Sequence, residues 1–128
     1  MNLLLDSCVL IWLAQGPENI SRQAKAAIDD MANELWFSHA SIWEIHLKHL
    51  AGKLTLPQSS RLWLTHQLAA WGVKDVPIDL ESLHLTSELP LHHKDPFDRL
   101  LVAQTRLLDA TLVSPDKIFR RYEANTLW

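Results

Sequence analysis

The first thirteen residues, MNLLLDSCVLIWL, decide the fold. Asn2 to Leu5 is a short apolar run ending on an acid, Asp6, and it reads as a strand buried on both faces, the kind found in parallel sheets. Ser7 then caps a helix through Leu13, and Gly16-Pro17 stops it. The same alternation continues down the chain. Ser21 opens a helix to about Asn33, with Ala24, Ala27, Ile28 and Met31 at helical spacing, and Leu35 to Ser38 is a second strand. Ser41 begins a third helix whose first turn, Ser41-Ile42-Trp43-Glu44, has the capping-box pattern, and Gly52 closes it. Residues 59–71 form a helix with Leu62, Leu64, Leu68 and Trp71 near one side, and Val73 to Pro77 is a third strand. Asp79 caps a short helix that Pro90 ends. Asp95-Pro96 is an N-cap followed by proline in the first turn of a helix through Leu108. Thr111 to Val113 is a fourth strand, followed by a short helix to Tyr122 and a tail, Thr126 to Trp128. This order predicts an α/β fold, a three-layer α/β/α sandwich over residues 1–128 as one domain, around a four- to five-stranded parallel sheet.

Composition narrows the function. The chain has 128 residues, 48% of them hydrophobic, and 12 Lys+Arg against 15 Asp+Glu. A chain of this length buries roughly two thirds of its unfolded surface, so it holds a core without a disulfide or structural metal. The single cysteine, Cys8, excludes an internal disulfide and fits a reducing cytoplasm. No stretch approaches the ~20 apolar residues of a membrane span. The mildly acidic balance argues against binding nucleic acid through a global positive field, yet it is compatible with an acidic metal site acting on nucleic acid. Glycine occurs only 3 times, and neither GxxxxGKS/T nor GxGxxG is present, which removes the usual nucleotide-binding loops.

The acids fall where open parallel sheets bind ligands, beyond the carboxyl ends of the strands. Asp6 ends the first strand, Asp116 follows the fourth, and Glu44 is expected in the first turn of the helix after the second. Asp95 and Asp98 begin the helix before the fourth strand, three residues apart on nearly one face. Two carboxylates about 5 Å apart repel by roughly 3 kcal/mol at an effective dielectric near 20. A cluster of them must take up protons or hold a cation. Oxygen ligands without cysteine or obligatory histidine favour Mg²⁺ or Mn²⁺, whose sites combine a few carboxylates with water and substrate phosphate. Each acid taken singly also has a structural reading, since capping or a favourable place in the helix dipole stabilises a helix by a few tenths to about 1 kcal/mol.

The chain resembles a PIN-domain ribonuclease of the VapC toxin type. The resemblance lies in LLLDSCVLIW at 3–12, ASIWEIHLKHLAGKLTLP at 40–57, HKDPFDRLLVAQ at 93–104 and LVSPDKIFRRY at 112–122. It implies a PIN-like sandwich and a metal-dependent endoribonuclease that is usually a homodimer and is neutralised by a cognate VapB-like antitoxin. By position, Asp6, Glu44, Asp98 and Asp116 match the family's acids around Mg²⁺ or Mn²⁺, and Asp95 matches a second acid of the DPFDR branch. Asp6, Glu44 and Asp98 are expected to position the ion, with Asp116 completing the site. In-line attack of water on an RNA phosphodiester would need no 2′-hydroxyl and leave a 5′-phosphate. Ser7 and Ser41 are candidates to bond a site carboxylate or phosphate, or to act only as helix caps. Arg99, Lys48 and Lys53 are candidates for RNA backbone contacts or solvated ion pairs.

Three alternatives compete. The pair His46 and His49, or the pair His92 and His93, would cleave RNA without metal through the 2′-hydroxyl, although neither pair has a partner evident in sequence. An aspartyl phosphotransferase would carry a second Asp two positions after Asp6, where Cys8 stands instead. A non-catalytic interaction module would use some of the tryptophans Trp12, Trp36, Trp43, Trp63, Trp71 and Trp128. Of these, Trp12 and Trp63 are the expected walls of an apolar groove for an antitoxin's amphipathic segment.

Overall fold

The computed structural model describes residues 1–128. Five strands form one parallel sheet: β1 (Asn2–Leu5), β2 (Glu34–Ser38), β3 (Lys74–Val76), β4 (Thr111–Val113) and β5 (Asn125–Leu127). Their order across the sheet is β3-β2-β1-β4-β5, so the chain starts in the middle, winds to one edge, then returns to fill the other. β1 is flanked on both sides, with Leu4 paired to Trp36 of β2 and to Leu112 of β4. That position explains the apolar run, because Leu3, Leu4 and Leu5 are all fully buried.

Six α-helices connect and cover the strands: α1 (Ser7–Gln15), α2 (Arg22–Asp29), α3 (His39–Leu50), α4 (Ser60–Ala70), α5 (Leu80–Glu88) and α6 (Pro96–Leu107). The strand period divides the core into two. Leu3, Leu5, Leu35, Phe37 and Val113 pack on one face with Val9 and Leu10 of α1, Ile45 of α3 and Trp63 and Leu64 of α4. Leu4 and Leu112 pack on the other with Leu101, Val102 and Ala103 of α6, Phe119 and Tyr122. The predicted three-layer sandwich is present. No helix is long and apolar enough to cross a membrane.

Several local expectations need correction. Asp6, not Ser7, is the N-cap of α1, since Asp6 is extended (φ −66°, ψ 155°) and its side chain accepts from the Ser7 N–H. α3 starts two residues before Ser41, at His39, with Ser38 as its cap. The capping box is therefore not formed, and Glu44 sits in the second turn. α2 ends at Asp29 because Asp30 accepts from the Ala32 N–H and Asn33 donates to the Ala27 carbonyl, turning the chain toward β2. Met31, expected on an apolar helical face, is 97% exposed. The tail is a strand, β5, whose register places Leu112 opposite Thr126. Gly52 and Gly72 follow α3 and α4 with φ of +73° and +61°, a backbone region open to glycine at little cost.

Trp63 is only 2% exposed and lies inside the core, so it cannot line a docking groove. Trp63→Ala is expected to lower unfolding free energy by about 3–5 kcal/mol, whereas Leu62→Ala, at an exposed position of the same helix, should change it by about 0.5 kcal/mol or less. Urea unfolding of both variants checks the assignment.

Candidate metal centre

The sheet order reverses at β1, and the crevice between β1 and β4 opens where their carboxyl ends part. Asp6 leaves β1 into this crevice and is held there by two donors. The Ser7 N–H reaches Oδ1 at 2.7 Å and the Ser114 hydroxyl reaches Oδ2 at 2.7 Å. Ser114 follows β4 directly, so this bond ties the ends of adjacent strands across 108 residues of sequence. Glu44 enters from α3, its Oε1 accepting from the Ser7 hydroxyl. Asp98 comes from the first turn of α6, and Asp116 caps the short 3₁₀ turn after β4 through its Oδ1, 3.0 Å from the Ile118 nitrogen.

These acids line one cleft of about 360 Å³ with Asp95, Ser7, Cys8, Lys48 and Pro115. The five predicted acids thus share a site, although their surroundings differ. Asp95 is the N-cap of α6, with Oδ1 accepting from the Phe97 and Asp98 N–H groups at 2.8 and 3.3 Å. One ligand atom each from His93, Asp98 and Asp116 lie within 4.8 Å of one another. Asp6 and Glu44 line the cleft together with Asp98 and Asp116.

The crowding of negative charge shows in the proton affinities. Burial, followed by the nearby Glu44, raises the Asp6 carboxyl above its ordinary range despite its two donors. Asp98 is pushed up to about 7, chiefly by burial and then by Asp6 and Asp95, while His93 pulls the other way. Without a cation, the site therefore takes up protons as the charge balance requires. The donor set fits a hard divalent ion: carboxylate oxygens from four chain segments converge in an open cleft where water and a phosphate oxygen can complete the coordination. Cys8 lines the same cleft, but burial followed by Asp6 pushes its thiol up to about 12, so it is no nucleophile.

Other expected residues have different surroundings. Lys48 lines the cleft, whereas Lys53 is exposed in the turn after α3 and does not. The Arg99 expectation needs correction: its guanidinium faces the chain itself and donates to the carbonyls of Pro90 and His93 through Nη1 and of Thr86 and Leu89 through Nη2. It gathers the end of α5 and the following loop onto α6. Ser7 does bond a site carboxylate, while the Ser41 hydroxyl is buried without a partner. His46 and His49 bond Ser60 and the Leu54 carbonyl, away from the acids. His93, by contrast, has a partner that sequence alone did not reveal, with Nε2 2.7 Å from Asp98 Oδ2. Sequence reasoning also passed over Ser114, although its place one residue past the strand in LVSPD was the available signal.

Trp12 and Trp63 do not wall a common groove, since Trp63 is enclosed in the core. Trp12 is half-buried against Trp128, their ring centroids 5.9 Å apart. An open groove of about 640 Å³ instead runs between α3, α5 and α6, lined by Trp43, Leu47, Ile78, Leu83, Phe97 and Leu100. Trp43 is 58% exposed and meets Phe97 edge-on at 5.4 Å.

A family model described as PIN domain matches residues 3–125. The chain belongs to the PIN domain family. Solved structures give this PIN chain the same fold at low identity. The match to VapBC2 from Rickettsia felis, bound to a DNA fragment from its promoter, has a TM-score of 0.72 and 14% identity and covers 99% of this chain and 98% of that one. VapBC-1 from nontypeable Haemophilus influenzae matches with a TM-score of 0.64 and 14% identity, covering 94% and 92%. A toxin–antitoxin complex from Klebsiella pneumoniae matches with a TM-score of 0.55 and 18% identity, covering 91% and 89%. No curated protein matches.

The raised Asp98 and Asp6 affinities make stability depend on pH in a defined direction. Between about pH 4, the ordinary carboxyl value, and about pH 7, folded Asp98 keeps a proton that the unfolded chain has released. Stability gained from that proton is complete below this window and lost as pH rises through it. Thermal unfolding in chelator should therefore fall from pH 5 to pH 8. Asp98→Asn should flatten the fall and raise Tm at pH 8 by roughly 3–6 °C, about 1 kcal/mol after allowance for solvent screening.

Proposed function

We propose that residues 1–128 form a single PIN domain that works as a cytoplasmic, metal-dependent endoribonuclease of the VapC type, hydrolysing RNA phosphodiesters until a VapB-like antitoxin binds it. The observation that carries this reading is the convergence of Asp6, Glu44, Asp98 and Asp116 on one cleft at the switch point of the sheet. The toxin–antitoxin complexes of the same fold support the antitoxin part.

In this reading Asp6, Glu44 and Asp98 hold Mg²⁺ or Mn²⁺ and Asp116 completes the site. When bound, the ion supplies an activated water and offsets charge building on the phosphate in the transition state. The chain's own part is positional. Ser7 and Ser114 hold Glu44 and Asp6 in place, and the inner acids stand close enough to disfavour full ionisation without a cation. Lys48, on the cleft wall, offers one positive contact to an RNA phosphate, and exposed Lys53 offers another further along the strand. Water adds to phosphorus as the bond to the 3′-oxygen breaks. The products are a 5′-phosphate and a 3′-hydroxyl.

Purified protein free of antitoxin, incubated with total RNA, should cut in Mg²⁺ or Mn²⁺ and stop in chelator, leaving 5′-phosphate ends. Asp6→Asn and Asp98→Asn should each lower the rate on the order of 100-fold or more. Cutting that persists in chelator, or ends in a cyclic phosphate, would instead assign the activity to histidine chemistry.

The reading includes a homodimer. Trp43 and Leu47 of α3 and Leu83 of α5 are exposed and line one groove, and Leu50 and Leu80 are exposed on the same two helices. A two-fold dimer would place this patch against the same patch of a second copy. Light scattering should give twice the 14.7 kDa chain mass, and Leu83→Glu should return it to the monomer value. A parent protein that is monomeric at micromolar concentration overturns the dimer.

A further inference from the structure

His93 contacts Asp98, one of the acids of the cleft, and its geometry is more closely constrained than that of a surface histidine. Its backbone N–H donates to the Tyr122 hydroxyl at 2.9 Å, and its carbonyl accepts from Arg99 at 3.3 Å. The ring is oriented as well. Nδ1 accepts from the Asp95 N–H at 3.4 Å, so the neutral ring carries its hydrogen on Nε2. That nitrogen lies 2.7 Å from Asp98 Oδ2, and one ligand atom each of His93, Asp98 and Asp116 lie within 4.8 Å of one another.

We propose that His93 is a positioning residue of the metal centre: the close contact of its Nε2 with Asp98 Oδ2, at 2.7 Å, holds that carboxylate in the orientation in which it would bind a divalent cation. The inference rests on the metal-dependent reading above and adds to it the residue that orients one of the acids. A carboxylate in the first turn of a helix rotates freely about χ2 unless a neighbour fixes it. His93 is the one side chain in ion-pair contact with the Asp98 carboxylate, and that carboxylate's neighbours in the cleft, Asp6 and Asp95, repel it. A single close partner anchored at its own backbone N–H, carbonyl and ring is enough to select one orientation. Such outer contacts to a ligating carboxylate change metal affinity by roughly 10- to 100-fold. Arg99 acts one step further out, since its bond to the His93 carbonyl fixes the loop that carries the ring.

The test uses the full chain and Mn²⁺ alone. Mn²⁺ affinity is measured by calorimetry in the parent, His93→Leu, His93→Gln and His93→Asn, with thermal unfolding in chelator as a check on folding. The Gln amide reaches the place of Nε2, whereas the shorter Asn amide reaches only that of Nδ1. His93→Leu and His93→Asn should each weaken Mn²⁺ binding about 10-fold or more, and His93→Gln should stay within about threefold of the parent. Should His93→Leu fail to fold, the Gln and Asn pair decides. Pulsed electron paramagnetic resonance of the Mn²⁺ complex, with ¹⁴N- and ¹⁵N-histidine, should show no directly bound nitrogen. Equal affinity in all four proteins, a Gln variant as weak as Asn, or a directly coordinated histidine nitrogen would each overturn the proposal. A parent that binds no Mn²⁺ would overturn the metal-dependent reading itself, and the positioning role with it.

Discussion

A carboxylate held nearly out of solvent at the end of the central strand constrains the rest of this structure. Asp6 follows three fully buried leucines and stands where β1 and β4 diverge, so it can withdraw to solvent only if the central strand moves. Two donors, the Ser7 N–H and the Ser114 hydroxyl, offset part of the desolvation, and the start of α1 directs its dipole the same way. They do not offset all of it, as the raised proton affinity shows. The remaining imbalance gives the cleft its chemical character.

The other acids add to that imbalance. Glu44 is fixed by the Ser7 hydroxyl, which ties α3 to the start of α1, and Asp98 is carried by a helix whose apolar face is locked against the opposite side of the sheet. Because each acid sits on a rigid element, the cluster cannot relax by spreading apart, and a proton or a cation is the remaining way to lower its energy. The loop before α6 belongs to the same design. Arg99 draws four carbonyls together and Tyr122 holds the His93 backbone, so the loop that brings His93 to the cleft is fastened from two sides.

The apolar groove is separate from this balance. Trp43 and Phe97 are sequence neighbours of Glu44 and Asp98, yet they point away from the acids into a groove of apolar side chains. One turn of helix thus serves two surfaces: at successive positions of α3, Trp43 faces the groove and Glu44 the cleft. A rotation of α3 that repacked one would displace the other.

Local chemistry made much of this readable without coordinates. The apolar run before Asp6, the Asp95-Pro96 start of α6 and the alternation of strand and helix depend on neighbours within a few residues, so the layered parallel fold and the acids beyond its strands follow from sequence. Sequence could not assign the cap to Asp6 rather than Ser7, because a one-residue shift turns on the backbone angle that β1 imposes. Nor could it separate Trp63 from Trp43: both lie on helices of mixed pattern, and only packing decides which is enclosed. Arg99 looked like an RNA contact and His93 like an unpaired histidine for the same reason. Their partners are carbonyls and a carboxylate brought near by the turn between α5 and α6, and polar contacts of that kind depend on the placement of backbone in space, which residue types alone do not encode.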